Sequence, residues 1–162
     1  MSTWVKAMPY AIGDRLWVRE AHYLTNKHAY RLSVGVDQRI NPRDDYEACV
    51  FKEGFDRSTG GLRLRPSIHM PRWASRLTLV VTDVRVQRVQ EVTLGDICAE
   101  GLARSIYDFK PVQTGFDAWR ELWDSLNAER GFGWDDNPWV AAYTFTVHKC
   151  NIDQMESEDD EV

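Results

Sequence analysis

Residues 77–90 constrain the fold of this 162-residue chain more than any other stretch. Leu77, Leu79 and Val81 share one parity, and Val84 and Val86 share the other. Successive side chains of a strand face opposite ways, so a parity change inside one apolar run demands a bulge or bend near Thr82-Asp83. A strongly bent strand suits a small closed barrel better than a flat sheet. Other segments also read as strands: residues 15–20, where Leu16 and Val18 oppose Trp17 and Arg19; residues 28–34; residues 48–52; and a closing run through Trp139, Ala141, Tyr143, Phe145 and Val147. Residues 35–47 and 53–61, with their glycines, proline and aspartates, read as loops.

Two helices are expected in the second half. Thr93 stands three residues before Asp96, a variant of the capping box, and Gly101 offers a stop. Phe116, Trp119, Leu122, Trp123 and Leu126 recur at three- and four-residue steps and form one apolar stripe, read as core. The expected class is therefore α+β, a small bent β-barrel with flanking short helices. A chain of this length supports one good core, so residues 1–150 are read as a single domain.

Charge placement matters more than its total. The net charge is −5, yet the last ten residues hold six acids and no base. These residues cannot bury enough apolar surface to order themselves, so 151–162 are expected to form a disordered acidic tail, open to a basic protein partner. Residues 57–90 carry seven arginines against the single acid Asp83, the kind of clustering that a polyanion partner uses. No apolar stretch approaches the roughly 18 residues of a membrane helix, and the opening Met1-Ser2-Thr3-Trp4-Val5-Lys6 lacks the core of a secretory signal. A cytoplasmic protein is expected. Cys49, Cys98 and Cys150 form no C-x-x-C, and His22 and His28 have no carboxylate at ligand spacing, so neither a metal nor a cofactor is expected.

Three segments together resemble a family: Gly13-Asp14-Arg15-Leu16-Trp17-Val18-Arg19-Glu20; Arg65-Pro66-Ser67-Ile68-His69-Met70-Pro71-Arg72-Trp73-Ala74-Ser75-Arg76; and Asp96-Ile97-Cys98-Ala99-Glu100-Gly101-Leu102. With Asn137-Pro138-Trp139-Val140 opening the last strand, the chain resembles the phage and prophage branch of the ASCH domains, within the PUA-like barrel superfamily. The resemblance spans residues 9–148 and implies a small barrel whose cleft takes RNA, a base or a nucleoside in a bacterial host. Related sequences carry a Gly-x-Lys-x-x-Thr-x-Arg stretch ahead of the first segment. Here only eight residues precede Pro9 and they do not match it, so the chain is read as shortened or as starting downstream. The family's amidohydrolases on acylated cytidine nucleosides use that Lys, that Thr and a later Glu. Only the Glu has a counterpart here, Glu100.

The site residues follow from this. Pro66 and Pro71 restrict the backbone around Ser67 and His69; if extended, those two side chains project together, opposite Ile68 and Met70. Arg65, Arg72 and Arg76 supply planar forks for phosphates. Trp73 is either a stacking face for an unpaired base or a core anchor, and Glu20 either accepts from an exocyclic amine or pairs with a surface arginine. Nucleic-acid or modified-nucleotide binding through Glu20, Arg65, Ser67, His69, Arg72, Trp73 and Arg76 is the expected function. The alternatives are a nucleoside amidohydrolase or ribonuclease with Glu100 as acid–base, and a phage protein-interaction factor for development or counter-defence. Neither a Gly-x-Ser-x-Gly elbow nor a dinucleotide fingerprint is present.

Overall fold

The computed structural model describes residues 8–155; residues 156–162, most of the expected acidic tail, lie outside the described residues. The class is α+β. The described strands form two three-stranded sheets and no closed barrel. In chain order the elements are β1 (Arg15–Trp17), β2 (His22–Asn26), β3 (Gln38–Ile40), β4 (Glu47–Phe51), β5 (Thr78–Arg88), α1 (Leu94–Ala99), α2 (Gln113–Asn127) and β6 (Trp139–His148). Two 3-10 turns, Ser67–His69 and Arg72–Ala74, bridge the stretch between β4 and β5. No described helix is long and apolar enough to cross a membrane.

The chain divides into two compact units. One comprises Pro9–Asp83 together with the described residues from Thr144 onward; the other comprises Val84–Tyr143. The parity change expected at Thr82-Asp83 falls where β5 passes from the first unit to the second, while β5 itself runs unbroken.

In the first unit β4 is the middle strand of the order β2-β4-β3, and its Ala48, Cys49, Val50 and Phe51 are buried on both faces. A strand covered on both faces has no solvent side for polar residues, which explains the continuous run Ala-Cys-Val-Phe. Both pairings are antiparallel, with Leu24 opposite Cys49 and Arg39 opposite Cys49 from the other side. Cys49 and Phe51 pack with Met70 and Ala74, and Trp17, Leu24 and Trp73 close the cluster. β1 pairs antiparallel with the start of β5, placing Arg15 opposite Val80.

Several expectations are corrected here. Residues 28–34 form turns rather than a strand, and Leu32 and Val34 stand almost fully exposed. The strand lies earlier, at β2, and β3 arises inside the expected loop. Their short apolar content gains order only by pairing with β4, a tertiary gain that local alternation does not register.

In the second unit the Thr93–Asp96 capping box forms as expected: Thr93 Oγ1 accepts from the Asp96 N–H at 3.2 Å, and Asp96 Oδ2 accepts from the Thr93 N–H at 2.9 Å. The helix ends at Glu100, followed by Gly101 with φ +89°. The stripe on α2 is only half-buried; Leu122 and Leu126 remain exposed. The close approach to α1 runs instead through Gly115, where a Cβ would meet Leu94 at 2.8 Å and the Phe109 ring at 2.9 Å.

Candidate polyanion-binding site

The site is built on residues 66–75, two tandem five-residue modules, Pro-Ser-Ile-His-Met and Pro-Arg-Trp-Ala-Ser. Each proline fixes φ (−58° at Pro66, −73° at Pro71) at the head of a 3-10 turn, where no donor is lost from a hydrogen-bonded ladder. The His69 N–H donates to the Pro66 carbonyl and the Met70 N–H to the Ser67 carbonyl, both at 3.0 Å. The second module repeats this from Ala74 to Pro71 at 3.0 Å and from Ser75 to Arg72 at 3.2 Å. Each turn then returns to extended backbone at a buried residue, Met70 or Ser75. Ser67 and His69 therefore do not project together as an extended run would place them. The helical turn separates them, leaving Ser67 half-buried, Ile68 and His69 exposed, and Met70 inside.

Polar groups pin the second module. The Ser75 Oγ lies 3.0 Å from the carbonyls of Val18 and Leu77, between which it donates its hydrogen. The Asn151 Nδ2 reaches the carbonyls of Arg72, Trp73 and Ser75 at 2.8, 3.2 and 2.9 Å. Thr78 Oγ1 donates to the Cys150 carbonyl at 3.0 Å. The backbone at residues 150–153, where the sequence reading begins the tail, is thus tied to residues 72–78.

The arginines of the patch divide sharply by partner. Arg76 grips Glu20 with two hydrogen bonds, Nε to Oε2 at 3.1 Å and Nη2 to Oε1 at 2.8 Å. It also donates to Asp37 at 3.1 Å, and its guanidinium stacks 4.0 Å from the Phe51 ring centre. Glu20 and Arg76 are thereby committed to each other and to the fold. Arg72 donates through Nε and Nη2 to Asp153 Oδ1 at 2.9 and 2.7 Å, which holds the Asp153 carboxyl below its ordinary range. Trp73 packs against the core cluster. Arg57 meets Asp56, Arg85 meets Asp96, and Arg88 stacks over Trp139 while donating to the Asn137 carbonyl.

Arg63 and Arg65 remain, exposed and without a side-chain partner among the described residues. They line one hollow of about 350 Å³ together with Leu64, Pro66 and His69. No acid lines it. Of the residues expected at the site, the structure brings Arg65 and His69 to this hollow. Ser67 lies in the turn beside it; Glu20, Arg72, Trp73 and Arg76 are engaged as described above.

Two residues of this neighbourhood are not among the expected site residues, although Arg63 counts among the seven arginines of residues 57–90. Arg63 is one; the alternation Leu62-Arg63-Leu64-Arg65 before Pro66 is the signal that places it on the same side as Arg65. His22 is the other. It is fully buried, and its backbone forms an isolated antiparallel bridge with Arg65, N–H to carbonyl at 3.0 and 2.8 Å in the two directions. The bridge fixes the backbone from which the Arg65 guanidinium projects. His22 Nδ1 lies 3.0 Å from the Glu20 carbonyl, which only accepts, so the proton sits on Nδ1. Nε2 is buried with no hydrogen-bond partner among the described residues. Burial is the main cause that lowers the His22 pKa; the Glu20 carbonyl opposes it, and Arg65 and His69 add to the lowering. The imidazole behind the hollow is neutral at physiological pH.

Glu100 belongs to the second unit, exposed at the end of α1, where its backbone N–H bonds the Asp96 carbonyl. Its carboxylate makes no hydrogen bond or ion pair among the described residues. No described cluster of three or more His, Cys, Asp or Glu side chains could hold a metal ion.

Chemically, the hollow offers two guanidinium forks and an imidazole, which suit phosphate oxygens, and an apolar wall of Leu64 and Pro66. Its size falls within the range of pockets that take small molecules, roughly 300–1,000 Å³. Comparison with protein families, curated proteins and solved structures finds no match to this chain.

Proposed function

We propose that the chain binds single-stranded RNA, or a modified nucleotide, by gripping phosphate in the hollow of Arg63, Arg65 and His69. The observation that carries the reading is the asymmetry of the patch: Arg72 and Arg76 are neutralised by Asp153, Glu20 and Asp37, while Arg63 and Arg65 face one acid-free hollow with no partner among the described residues. An exposed, unpaired guanidinium pair has hydration to lose and charge-assisted hydrogen bonds to gain when phosphate arrives. Leu64 and Pro66 give a sugar or base face something apolar to lie against. The ASCH resemblance, with the small bent barrel and phage origin that it implies, is part of this proposal and favours RNA over other polyanions.

The test is fluorescence anisotropy of the full chain with a labelled single-stranded RNA at low salt, competed by a nucleoside monophosphate and by inorganic phosphate. Changing Arg63 and Arg65 together to Ala removes two charged hydrogen-bonding groups, each worth roughly 1.5–3 kcal/mol, so affinity falls at least about a hundredfold. Unchanged affinity in the double variant would overturn the reading. Competition by phosphate alone as strong as by the nucleotide would reduce it to simple anion binding.

A further inference from the structure

Directly opposed residues of an antiparallel sheet share a face. In the β2-β4-β3 sheet Leu24, Cys49 and Arg39 share one, and the core cluster takes Leu24 and Cys49 from it. Tyr23, Val50 and Gln38 share the other, with Thr25, Ala48 and Ile40 in register beside them. A hollow of about 620 Å³ opens on that second face, lined by its Gln38 and Ile40 and by Tyr30, Arg31 and Val36 from the turns that join β2 to β3. All of these residues belong to the unit that begins at Pro9. The Tyr30 ring is held at two points: its hydroxyl donates to the Ser58 carbonyl at 3.0 Å, and it meets the Phe55 ring edge-to-face at 5.1 Å. Two acids also line the hollow and both are engaged, Asp45 with Lys27 at 2.6 Å and Asp37 with Arg76 at 3.1 Å. The exposed side chains of His28 and Arg31 line it too, and make no hydrogen bond or ion pair among the described residues. Gln38 donates through Nε2 to the Lys27 carbonyl at 2.6 Å, which fixes the orientation of its amide. Its Oε1 is buried and has no hydrogen-bond partner among the described residues. Native structures leave few buried acceptors without a donor, and a ligand N–H would satisfy this one.

We infer that this hollow is a second ligand site, for a nucleoside monophosphate whose base carries an exocyclic amine. Three features of the lining select that chemistry. Tyr30, Val36 and Ile40 give a flat, apolar body a surface to lie against, and an aromatic ring is a stacking platform for any base. Gln38 offers an acceptor only, because its donor is spent on Lys27, so the ligand must bring an N–H. Arg31 supplies a planar fork that no carboxylate has taken, which suits a phosphate. Inorganic phosphate meets only the last of these demands, and a long-chain carboxylate lacks the donor. A free nucleotide and the end of an RNA strand share the chemistry. The site uses none of Arg63, Arg65 and His69, so it stands whether or not those residues grip RNA.

The experiment titrates the ¹⁵N-labelled full chain with adenosine monophosphate and follows its ¹H–¹⁵N correlation spectrum. The amides of residues 27–40 and the Gln38 side-chain amide should shift together. Purine riboside monophosphate, which lacks only the amine, should bind about five- to tenfold more weakly, and inorganic phosphate more weakly still. Arg31→Ala removes an exposed side chain with no printed partner; it should keep the dispersed spectrum and weaken adenosine monophosphate at least about tenfold. A 5′-phosphorylated adenylate trimer that moves the same amides at lower concentration assigns the site to strand ends, and the reverse order assigns it to free nucleotide. No shift of these amides, shifts confined to residues 63–69, or equal responses to the monophosphate and to inorganic phosphate would overturn the inference. The Arg63→Ala, Arg65→Ala double variant should keep the full response at residues 27–40 while losing RNA affinity. Loss of that response in the double variant would also overturn it, so the two sites fail separately.

Discussion

Asn151 is a single side chain on which the second 3-10 turn depends, and its replacement by Asp is a demanding test of how that turn is held. The amide is 6% exposed and its Nδ2 faces three carbonyl oxygens at 2.8 to 3.2 Å. Two N–H groups serve these three acceptors. The Asn151→Asp side chain would keep the same shape but present an acceptor to three acceptors. Losing two buried hydrogen bonds costs about 2 kcal/mol, and facing an anion with carbonyl oxygens adds about 1 more, for a total of about 3 kcal/mol. For a chain of this size that lowers Tm by about 6–12 °C. Protonating the new carboxyl returns one donor, so the deficit relative to wild type should shrink between pH 7.5 and pH 4.5. Asn151→Leu removes the donors without adding charge and should cost about 2 kcal/mol at both pH values. Urea unfolding followed by far-UV circular dichroism measures all of these. An Asn151→Asp variant within about 0.5 kcal/mol of wild type at pH 7.5 would refute the reasoning.

Three further outcomes follow from the same coordinates. The His22 pKa is lowered by burial, so below about pH 6.5 the unfolded chain takes up a proton that the native imidazole refuses. Stability is therefore lost as pH falls from the unfolded value toward the lowered native one, and His22→Gln should flatten that part of the urea-stability profile. Gly115→Ala gains helix propensity but drives a methyl into Leu94 and Phe109, and it should destabilise by about 1 kcal/mol net in urea unfolding. The Cys49 thiol, pushed up to about 12 chiefly by burial and secondarily by Glu20, should resist iodoacetamide at pH 8.5 in the native chain and react in urea, as read by peptide mass mapping.

What could be read from the sequence was what is local. The Thr93–Asp96 box closes within four residues, and the α2 periodicity needs only its own turns, so both helices were legible. The β4 run Ala-Cys-Val-Phe carried its own apolar signal. β2 and β3 did not, because Tyr23, Leu24 and Ile40 become strand residues only by lying against β4. At the site, the arginine excess of residues 57–90 pointed to the right region, and Arg65 and His69 do meet at one hollow. Which cations are already spent was not legible: Arg72 finds Asp153 across 81 positions, and Arg76 finds Glu20 across 56 and Asp37 across 39. Counting charge along a chain assigns no partners. The extended presentation of Ser67 and His69 failed for a related reason. Proline's φ is shared by extended and 3-10 backbone, and the buried place for Met70 selects the turn.

The most direct test of the central claim is the salt dependence of single-stranded RNA binding by the full chain and by its Arg63→Ala, Arg65→Ala double variant. Each phosphate contact on a single strand contributes about 0.7 to the slope of log K against log salt. If Arg63 and Arg65 each hold a phosphate, the variant's slope is shallower by about 1.4. Parallel slopes for the two proteins would contradict the account and place the RNA-binding surface elsewhere on the chain.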